Sequence, residues 1–360
     1  MSGEVFALLA GGGTGGHTYP AIAVAQELQR RGRTVRFVGG RRGIEGTVVP
    51  AAGFEIDLLP GRGLQRRLTL QNVEALWGAA SAAVRALAIV RRYRPRVVVG
   101  FGGYASFPCV LAARLLRVPV VVHEQDAAPG LANRLGVRLG AAAAVSLPGT
   151  PLRGARLTGN PVREAFAHIT VVPSAEPNVL AVFGGAQGAR TINHAALGCY
   201  DRWRTRHDLA VRHVCGPRNL EECRATLAAA HRAGDALDYS LVGYEEHMDT
   251  LYARAALAVC RAGAGTSAEL TVAGLPSVLV PLPGAPSDHQ TRNAQTLERA
   301  GAAVMVRDAD CSAQRLDAVV TDLLGTPEKL NQMRASAREL ARPDAARRVA
   351  DLVEEHARAG

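Results

Sequence analysis

The feature that most constrains the fold occurs in both halves of the chain: an apolar strand, a glycine-rich turn and then a helix. In the first half a strand at 5–10 leads into GGGTGG at 11–16. In the second half a strand at 179–183 leads into GGAQGA at 184–189. Strands that alternate with helices predict βαβ units and a parallel sheet. Because the pattern restarts about half-way along 360 residues, we predict two Rossmann-like α/β domains with ligands in the cleft between them.

The segment between the halves predicts the domain boundary. Residues 159–163 are Gly-Asn-Pro-Val-Arg, which break the alternation, and a polar stretch follows. We assign residues 1–161 to an N-terminal domain and residues 162–341 to a C-terminal domain. The charged helical sequence at 342–360 forms a separate C-terminal helix.

Composition narrows the class of protein. The chain is 48% hydrophobic and 21% charged, which is typical of a globular protein. No apolar run reaches the ~20 residues that span a bilayer, and the first residues lack the features of a secretory signal. The six cysteines have no CxxC spacing, which favours a reduced cytosol and argues against disulfides or a zinc site.

The formal charge of +10 is carried by arginine, since Lys329 is the only lysine. It indicates an anionic partner: nucleic acid, a phosphorylated substrate or an acidic membrane. Aromatic residues are only 4% of the chain and are not interleaved with arginine clusters, which argues against nucleic acid. Genome base composition explains the arginine content equally well.

One segment combines arginine with apolar residues. Residues 62–94 contain seven arginines and a single acid, Glu74, among leucines, valines and a tryptophan. Such a segment suits the interface of an anionic membrane. It is equally consistent with a helix that packs on its own sheet and exposes a basic edge.

The stretch from 257 to 269 predicts a phosphate site. An apolar strand at 257–260 breaks into small residues at 263–266, and a helix follows from Ser267. Backbone N–H groups at such a helix start bind phosphate. Glu269 lies further along the helix, where it would accept hydrogen bonds from a ribose diol, and the polar residues at 288–290 supply a second edge. The alternative is an ordinary strand–turn–helix with a surface glutamate.

The first glycine loop contains GxGxxG as Gly11, Gly13 and Gly16. A dinucleotide site would have an acid at the end of the second strand, where this chain has arginines. An NADP-dependent oxidoreductase therefore stays as an alternative. His17 follows the loop, where an imidazole reaches whatever lies in the cleft.

The motifs occur in a particular order: GGGTGGH at 11–17, GFGGY at 100–104, HEQ at 123–125, GNPVR at 159–163, GGAQGAR at 184–190, CRAGAGT with Glu269 at 260–269, and DHQ with Asn293 and Ala294 at 288–294. That order resembles the MurG family, the cytoplasmic UDP-N-acetylglucosamine (UDP-GlcNAc) transferases that complete lipid II for bacterial peptidoglycan. The resemblance covers essentially the whole chain. It implies the GT-B glycosyltransferase fold, two Rossmann-like domains with a cleft between them, and a C-terminal helix that returns to the N-domain.

The resemblance also implies the site residues. Those implied for the donor UDP-GlcNAc are Thr14, Gly15, Gly16, Arg163, Gln187, Gly188, Tyr244, Ala264, Gly265, Thr266, Glu269, His289 and Gln290. Those implied for the acceptor are Gly13, His17, Gly102, Gly103, Tyr104, Asp126 and Asn133. Two positions depart from the usual family pattern, since Ala186 replaces a serine and Asp126 replaces an asparagine.

The reaction implied by the resemblance is an inverting hexosyl transfer. The C4 hydroxyl of undecaprenyl-pyrophosphoryl-MurNAc-pentapeptide (lipid I) attacks the anomeric carbon, and UDP leaves. Because a histidine supplies a base near neutral pH, we predict His17 as the general base and Glu124 as the second choice. The alternative for His17 is to bind the acceptor phosphate without proton transfer.

No DxD-like acidic pair stands out on the predicted sheet, so we predict no obligatory metal and no cofactor beyond the co-substrate UDP-GlcNAc. The implied partners are UDP-GlcNAc, lipid I, an anionic membrane surface and the cell-wall and division machinery, with no nucleic acid. The implied location is peripheral, at the cytoplasmic face of the cell membrane. Two further alternatives are a GT-B enzyme with a soluble acceptor and a sugar-nucleotide epimerase.

Overall fold

The computed structural model describes residues 5–60, 71–169 and 177–358, with the backbone alone at 71–77 and 79. The chain divides into two compact units. The first comprises Met1–Glu164 with Arg342–Gly360, and the second comprises Ala165–Ala341. Three arginines of the basic segment at 62–94 lie outside the described residues: Arg62, Arg66 and Arg67.

The first unit is built on a parallel sheet. Its strands are β1 (Ala7–Ala10), β2 (Val35–Gly40), β3 (Ile56–Leu59), β4 (Val97–Gly100), β5 (Val120–Glu124), β6 (Ala142–Val145) and β7 (Arg156–Leu157). Its connecting helices are α1 (Gly15–Arg30), α2 (Glu45–Ala51), α3 (Gln71–Tyr93), α4 (Ser106–Leu115) and α5 (Leu131–Arg138). Among the described residues the strand order is β3-β2-β1-β4-β5-β6-β7. β1 and β4 are buried throughout, which explains their unbroken apolar sequences.

The second unit repeats this design. Its strands are β8 (Asn178–Phe183), β9 (Leu209–Val214), β10 (Asp238–Val242), β11 (Ala255–Cys260), β12 (Ser277–Leu279) and β13 (Ala303–Met305). Its helices are α6 (Glu164–Ala167), α7 (Arg190–Gly198), α8 (Tyr200–Trp203), α9 (Leu220–Ala230), α10 (Met248–Arg254), α11 (Ala264–Ala273), α12 (His289–Arg299), α13 (Ala313–Leu324) and α14 (Pro327–Leu340). Short 3₁₀ turns lie at Pro217–Asn219, Pro286–Asp288 and Asp308–Asp310. The strand order in the described residues is β10-β9-β8-β11-β12-β13, again all parallel.

Both sheets reverse their winding direction beside their own first strand. In the first unit this switch lies between β1 and β4, and in the second between β8 and β11. Open α/β sheets bind ligands outside the carboxyl ends of the strands at this switch. The loops after these four strands are therefore the first places to look for a site.

The sequence pattern predicts a helix at 21–31, after the first glycine loop, and a strand at 118–122 with His123 and Glu124 beyond its end. The structure differs from both predictions. α1 begins at Gly15 rather than Ala21, with Thr14 before it in an extended conformation. Gly15, Gly16 and His17 therefore lie in the first helical turn rather than in a loop. β5 runs to Glu124 rather than ending at 122, because His123 and Glu124 pair with β6.

A last helix, α15 (Ala345–His356), packs on the first unit. Its buried side chains Val349, Leu352 and Val353 join the core that contains Phe6 and Leu9. No helix among the described residues is both long enough and apolar enough to cross a bilayer.

Ion pairs fasten α15 to the end of α1. Arg31 Nη1 lies 2.8 Å from Glu354 Oε2 and 2.8 Å from Asp351 Oδ1. Arg33 Nε donates to the other Glu354 oxygen at 2.7 Å. Burial acts to raise the pKa of Glu354, but the hydrogen bonds from Arg31 and Arg33 outweigh it and hold the pKa below 4.5.

We expect Glu354→Gln to lower the free energy of unfolding by about 1–2 kcal/mol at neutral pH, because it weakens charge-assisted hydrogen bonds to two arginines. The folded-state pKa of Glu354 is below its unfolded value, so its contribution is present above pH 4.5 and is lost as the pH falls further. Thermal unfolding should show a difference between wild type and variant that shrinks below about pH 4. The control Glu221→Gln, in an exposed pair with Arg224, should cost less than about 0.5 kcal/mol. A difference that persists in acid would contradict the assignment.

Candidate functional site

The second unit presents an anion-binding helix start at its switch. α11 begins at Ala264 rather than at Ser267, and Gly263 precedes it without a side-chain cap. The Ser267 N–H donates to the Gly263 carbonyl at 2.9 Å, so the N–H groups of Ala264, Gly265 and Thr266 have no partner within the helix. The first turn contains no acid. Such a helix start binds phosphate through its N–H groups and the helix dipole.

Charged and amide side chains fix the loop that leads into α11. Arg261 Nη1 lies 2.5 Å from Asp308 Oδ1 and donates to two carbonyls after β12 at 3.1 Å. The other Asp308 oxygen accepts from Thr191 Oγ1 in α7 at 3.2 Å. The fully buried Asn293 donates to the Ala262 carbonyl at 3.1 Å. The helix start is thus held by fixed partners on neighbouring elements.

The loop after β8 lies on the other side of the same switch. Gly188 has φ 73°, and a β-carbon there would overlap the carbonyl oxygen of Cys215, so only glycine fits. Asn219 Nδ2 donates to the Gln187 carbonyl at 3.1 Å and to the Cys215 carbonyl at 2.8 Å. These contacts fix the backbone and leave the side chains of Gln187 and Ala186 exposed.

The start of α12 carries His289 and Gln290, both half-buried. Ser287 and Asp288, just before it, have φ values of 55° and 52°, a conformation that costs a non-glycine residue about 1–3 kcal/mol. Gln290 Oε1 accepts from the Leu282 N–H at 3.0 Å. Strained backbone of this kind occurs where surrounding structure fixes a functional segment.

In the first unit, His17 lies in the first turn of α1 between two glycine loops. Its Nδ1 is 3.2 Å from Thr14 Oγ1. A β-carbon on Gly102 would lie 3.0 Å from its Nε2. The first helical hydrogen bonds are donated by His17 and Thr18, so the N–H groups of Gly15 and Gly16 have no partner within the helix.

The loop after β4 packs directly on the first glycine loop. Gly102 and Gly103 have φ values of 86° and 76°, and a β-carbon on Gly103 would overlap the Gly12 carbonyl oxygen. The Tyr104 hydroxyl lies 2.9 Å from the carbonyl oxygens of Pro60 and Gly78. Tyr104, predicted to bind the acceptor, therefore has a hydroxyl engaged with the protein.

The carboxylate of Glu45 accepts a hydrogen bond from the first glycine loop. It is 2% exposed. One oxygen accepts from the Gly13 N–H and the other from the Gly40 N–H, both at 2.8 Å. Sequence reasoning missed Glu45, because nothing in its local pattern marks an acid that folds back on a glycine loop.

Glu124 is 3% exposed and organises the loop after β5. Its Oε2 accepts from Asn133 Nδ2 and from the Gly130 N–H, both at 2.9 Å, and its Oε1 accepts from the Asp126 N–H at 3.1 Å. Burial raises its pKa, although these hydrogen bonds act in the opposite direction. Asn133, which also donates to the His123 carbonyl, is itself 2% exposed. Glu124 and Asn133 thus support the loop on which Asp126 lies.

His123 is a buried histidine whose ring nitrogens contact other protein groups. It is fully buried, and its Nε2 lies 3.0 Å from the Gly159 carbonyl, while its Nδ1 lies 3.2 Å from Gln125 Nε2. Burial lowers its pKa to about 4, so the ring is neutral at pH 7. We assign the proton to Nε2, because that tautomer satisfies both neighbours.

The remaining predicted donor residues fall in different places. Arg163 stacks over the Tyr19 ring at 5.5 Å, and Tyr19 lies on α1, close to His17. Tyr244 is 59% exposed and follows β10 at the sheet edge rather than at the switch. Glu269 is half-buried on α11.

Within each unit the structure thus gathers predicted residues at the switch. In the second unit these are Gln187, Gly188, Ala264, Gly265 and Thr266. In the first they are Gly13, Thr14, Gly15, Gly16, His17, Gly102 and Gly103.

No group of three or more His, Cys, Asp or Glu side chains suited to a metal ion occurs among the described residues. All six cysteines are buried and free, and burial raises the pKa of Cys109, Cys199 and Cys223 to about 12. These thiols are poor nucleophiles at neutral pH.

Comparison with known proteins identifies the family. The N-terminal domain of glycosyltransferase family 28 matches residues 7–145, and its C-terminal domain matches residues 179–349. A UDP-N-acetylglucosamine--N-acetylmuramyl-(pentapeptide) pyrophosphoryl-undecaprenol N-acetylglucosamine transferase of Solibacter usitatus is 43% identical, over 98% of this chain and 96% of the relative. A protein of the same name from Alkalilimnicola ehrlichii is also 43% identical, over 98% and 99%. The chain belongs to the MurG family.

Solved structures agree with this family. MurG of Acinetobacter baumannii is similar with a TM-score of 0.81 and 30% identity, covering 98% of this chain and 99% of that one. The calicheamicin glycosyltransferase has a TM-score of 0.70 at 17% identity, covering 98% of each chain. A UDP-GlcNAc 2-epimerase from Neisseria meningitidis has a TM-score of 0.66 at 15% identity, covering 98% and 99%. The last two likenesses concern the fold alone, and the expected GT-B class is confirmed.

The oxidoreductase alternative has no support. The relatives are N-acetylglucosamine transferases, and the Glu45 carboxylate occupies the Gly13 N–H that a dinucleotide phosphate would need.

Arg261→Met should lower the free energy of unfolding by about 2–3 kcal/mol, because it leaves Asp308 without its cation in a partly buried place. It should also weaken UDP binding, since the loop before α11 loses its support. Chemical denaturation and titration with UDP measure the two effects. Arg307→Met, which removes an exposed pair with Asp310, is the control and should change neither. Unchanged UDP affinity in Arg261→Met would refute a positioning role for the ion pair.

Proposed function

We propose that this chain transfers GlcNAc from UDP-GlcNAc to the C4 hydroxyl of lipid I and thereby forms lipid II for peptidoglycan. The observation that carries the proposal is the start of α11, where three N–H groups have no partner within the helix and the first turn contains no acid. The relatives that share this chain's sequence over nearly its full length are named for the same transfer. The enzyme class is a hexosyltransferase.

We assign the donor to the second unit and the acceptor to the first. The N–H groups of Ala264, Gly265 and Thr266 bind the diphosphate and stabilise the charge that develops on departing UDP. Glu269 binds the ribose, and His289 and Gln290 bind the sugar hydroxyls. The donor roles of Thr14, Gly15, Gly16, Arg163, Gln187, Gly188 and Tyr244 stay predictions.

On the acceptor side, His17 is better placed as the base than Glu124. Both Glu124 oxygens already accept hydrogen bonds from their own loop. With the His17 proton on Nδ1 and directed at Thr14, Nε2 has the lone pair that accepts the hydroxyl proton. The C4 oxygen forms the new bond to the anomeric carbon, the bond to UDP breaks, and the proton passes to Nε2.

We propose that no metal ion is required, because the helix start of α11 supplies the positive potential that UDP needs as it leaves. Activity that survives a chelator and is not raised by added magnesium would support this. A strict dependence on a divalent cation would overturn it.

His17→Ala should lower kcat by on the order of 10²-fold or more, as expected for loss of a general base. The measurement is UDP release from UDP-GlcNAc with and without a short-chain lipid I analogue. His17→Gln separates the two roles of His17, because glutamine can form hydrogen bonds but cannot act as a base near neutral pH. If His17 is the general base, kcat is low in both variants. If His17 only binds the acceptor phosphate, His17→Ala raises the acceptor KM and His17→Gln partly restores it. His168→Ala, an exposed histidine, is the control.

Wild-type behaviour tests the proposed reaction itself. Release of UDP that depends on the lipid acceptor supports it. Release without any acceptor would point to the epimerase, and release only with soluble sugars would point to the soluble-acceptor transferase.

Exposed apolar and basic side chains of the first unit favour contact with a membrane surface. Four large apolar side chains are exposed on or beside α3, α4 and α5, with exposed fractions of 38–69%: Val84, Leu115, Leu131 and Leu139. Exposed arginines accompany them: Arg85, Arg114, Arg134 and Arg138. A β-carbon on Gly140 would lie 3.2 Å from Arg114 Nη2, which brings the ends of α4 and α5 together. We propose that this surface contacts anionic lipid; contacts with cell-wall and division proteins stay a prediction.

The double variant Leu115→Glu/Leu139→Glu should weaken binding to phosphatidylglycerol-containing vesicles by about 10-fold or more, because it removes apolar contact and adds negative charge. Vesicle co-sedimentation measures this. Ala225→Glu/Ala228→Glu, on the exposed face of α9, makes the same charge change elsewhere and should bind nearly as wild type. Equal losses in both pairs would mean that net charge alone is responsible.

A further inference from the structure

Glu45 is a buried acid with backbone partners on two loops. Its carboxylate joins the Gly13 N–H, in the first glycine loop, to the Gly40 N–H, at the end of β2. Both distances are 2.8 Å, and the residue is 2% exposed. A buried carboxylate is retained only where its hydrogen bonds are satisfied, so the two loops and the acid fix one another.

Three glycines lack the β-carbons that would otherwise overlap this side chain. β-carbons on Gly12, Gly39 and Gly43 would each overlap the Glu45 side chain. At Gly43 the three nearest heavy atoms all belong to the carboxyl group of Glu45. The sequence around the acid is therefore shaped to hold it against the loop.

The hydrogen bond at Gly13 lies one residue before Thr14, whose hydroxyl contacts His17 Nδ1 at 3.2 Å. On the other side, the Gly12 carbonyl is packed against Gly103. A shift of Gly13 would consequently move both the imidazole and the N–H groups at the start of α1. Displacements of this kind near a reacting group cost large factors in rate.

We propose that Glu45 is a positioning residue for the acceptor site: its carboxylate holds the first glycine loop so that His17 meets the acceptor sugar. The proposal rests on the proposed function. In this role the Glu45 carboxylate contacts backbone N–H groups and not the substrate.

The sharpest test is a double-mutant cycle between Gly43→Ala and Glu45→Ala. The alanine methyl at 43 displaces the carboxylate, since the end of a flexible side chain moves more easily than the backbone. Gly43→Ala alone should therefore lower kcat/KM for the lipid acceptor by roughly 10-fold, and Glu45→Ala by roughly 10- to 100-fold. In the Glu45→Ala background the space is empty, and Gly43→Ala should have almost no further effect.

Glu45→Gln keeps the volume but directs an NH₂ group at one backbone N–H, so it should give an intermediate loss. The donor KM and the affinity for UDP, measured on the full chain, should stay within about 2-fold of wild type in every variant. Glu55→Gln, an acid of the same unit that is 78% exposed, is the control. Circular dichroism with thermal unfolding counts the folded fraction of each variant, so Gly43→Ala and Glu45→Gln remain informative if Glu45→Ala folds poorly.

Three results would overturn the proposal: additive effects in the cycle, a parallel loss of donor and acceptor parameters, or wild-type acceptor kinetics in Glu45→Gln. Failure of the proposed function is a different result, because wild type itself would then release no UDP on addition of the lipid acceptor.

Discussion

Backbone packs directly on backbone at the carboxyl ends of both sheets, and the candidate sites depend on that packing. In the first unit Gly103 meets the Gly12 carbonyl, and in the second Gly188 meets the Cys215 carbonyl. Any β-carbon at these glycines would separate the loops. Because the loops of adjacent strands lie in contact, the N–H groups at the start of α1 and the loop that leads into α7 are held in fixed positions, which is what an anion site requires.

The two units hold these loops by different chemistry. The second unit uses the Arg261–Asp308 ion pair with the amides of Asn219 and Asn293. The first unit uses two buried acids, Glu45 and Glu124, whose partners in hydrogen bonds are mainly backbone N–H groups. Similar strand orders thus carry distinct supports beneath their ligand loops.

Much of the fold follows from the sequence because local and global signals agree. Apolar runs that lead into loops of small residues marked β1, β8 and β11 closely. Helix starts were missed, since α1 and α11 begin within glycine-rich sequence that local propensity assigns to loop. The packing of the loops overrides that propensity.

The supports of the site were hidden from the sequence for a related reason. His123 and Glu124 looked like residues beyond a strand, but pairing with β6 draws them into the sheet and buries them. Glu45 contacts Gly13, which is distant in sequence, and no periodic pattern records such a contact. Polar residues that bind ligand and polar residues that hold the ligand loop look alike until their partners are known.

The buried hydrogen bonds and the Arg261–Asp308 ion pair explain why the loops can bind ligand without rearrangement. If the first glycine loop moved, Glu45 would lose the Gly13 N–H, and an unpaired buried acceptor costs about 1–3 kcal/mol or more when charged. If the loop before α11 moved, Asp308 would lose its cation and Ala262 its amide partner. In each unit, displacement of the N–H donors therefore costs free energy. Donors that are already oriented stabilise developing charge without reorganisation, so in the proposed reaction the buried polar groups act through these donors and touch neither substrate.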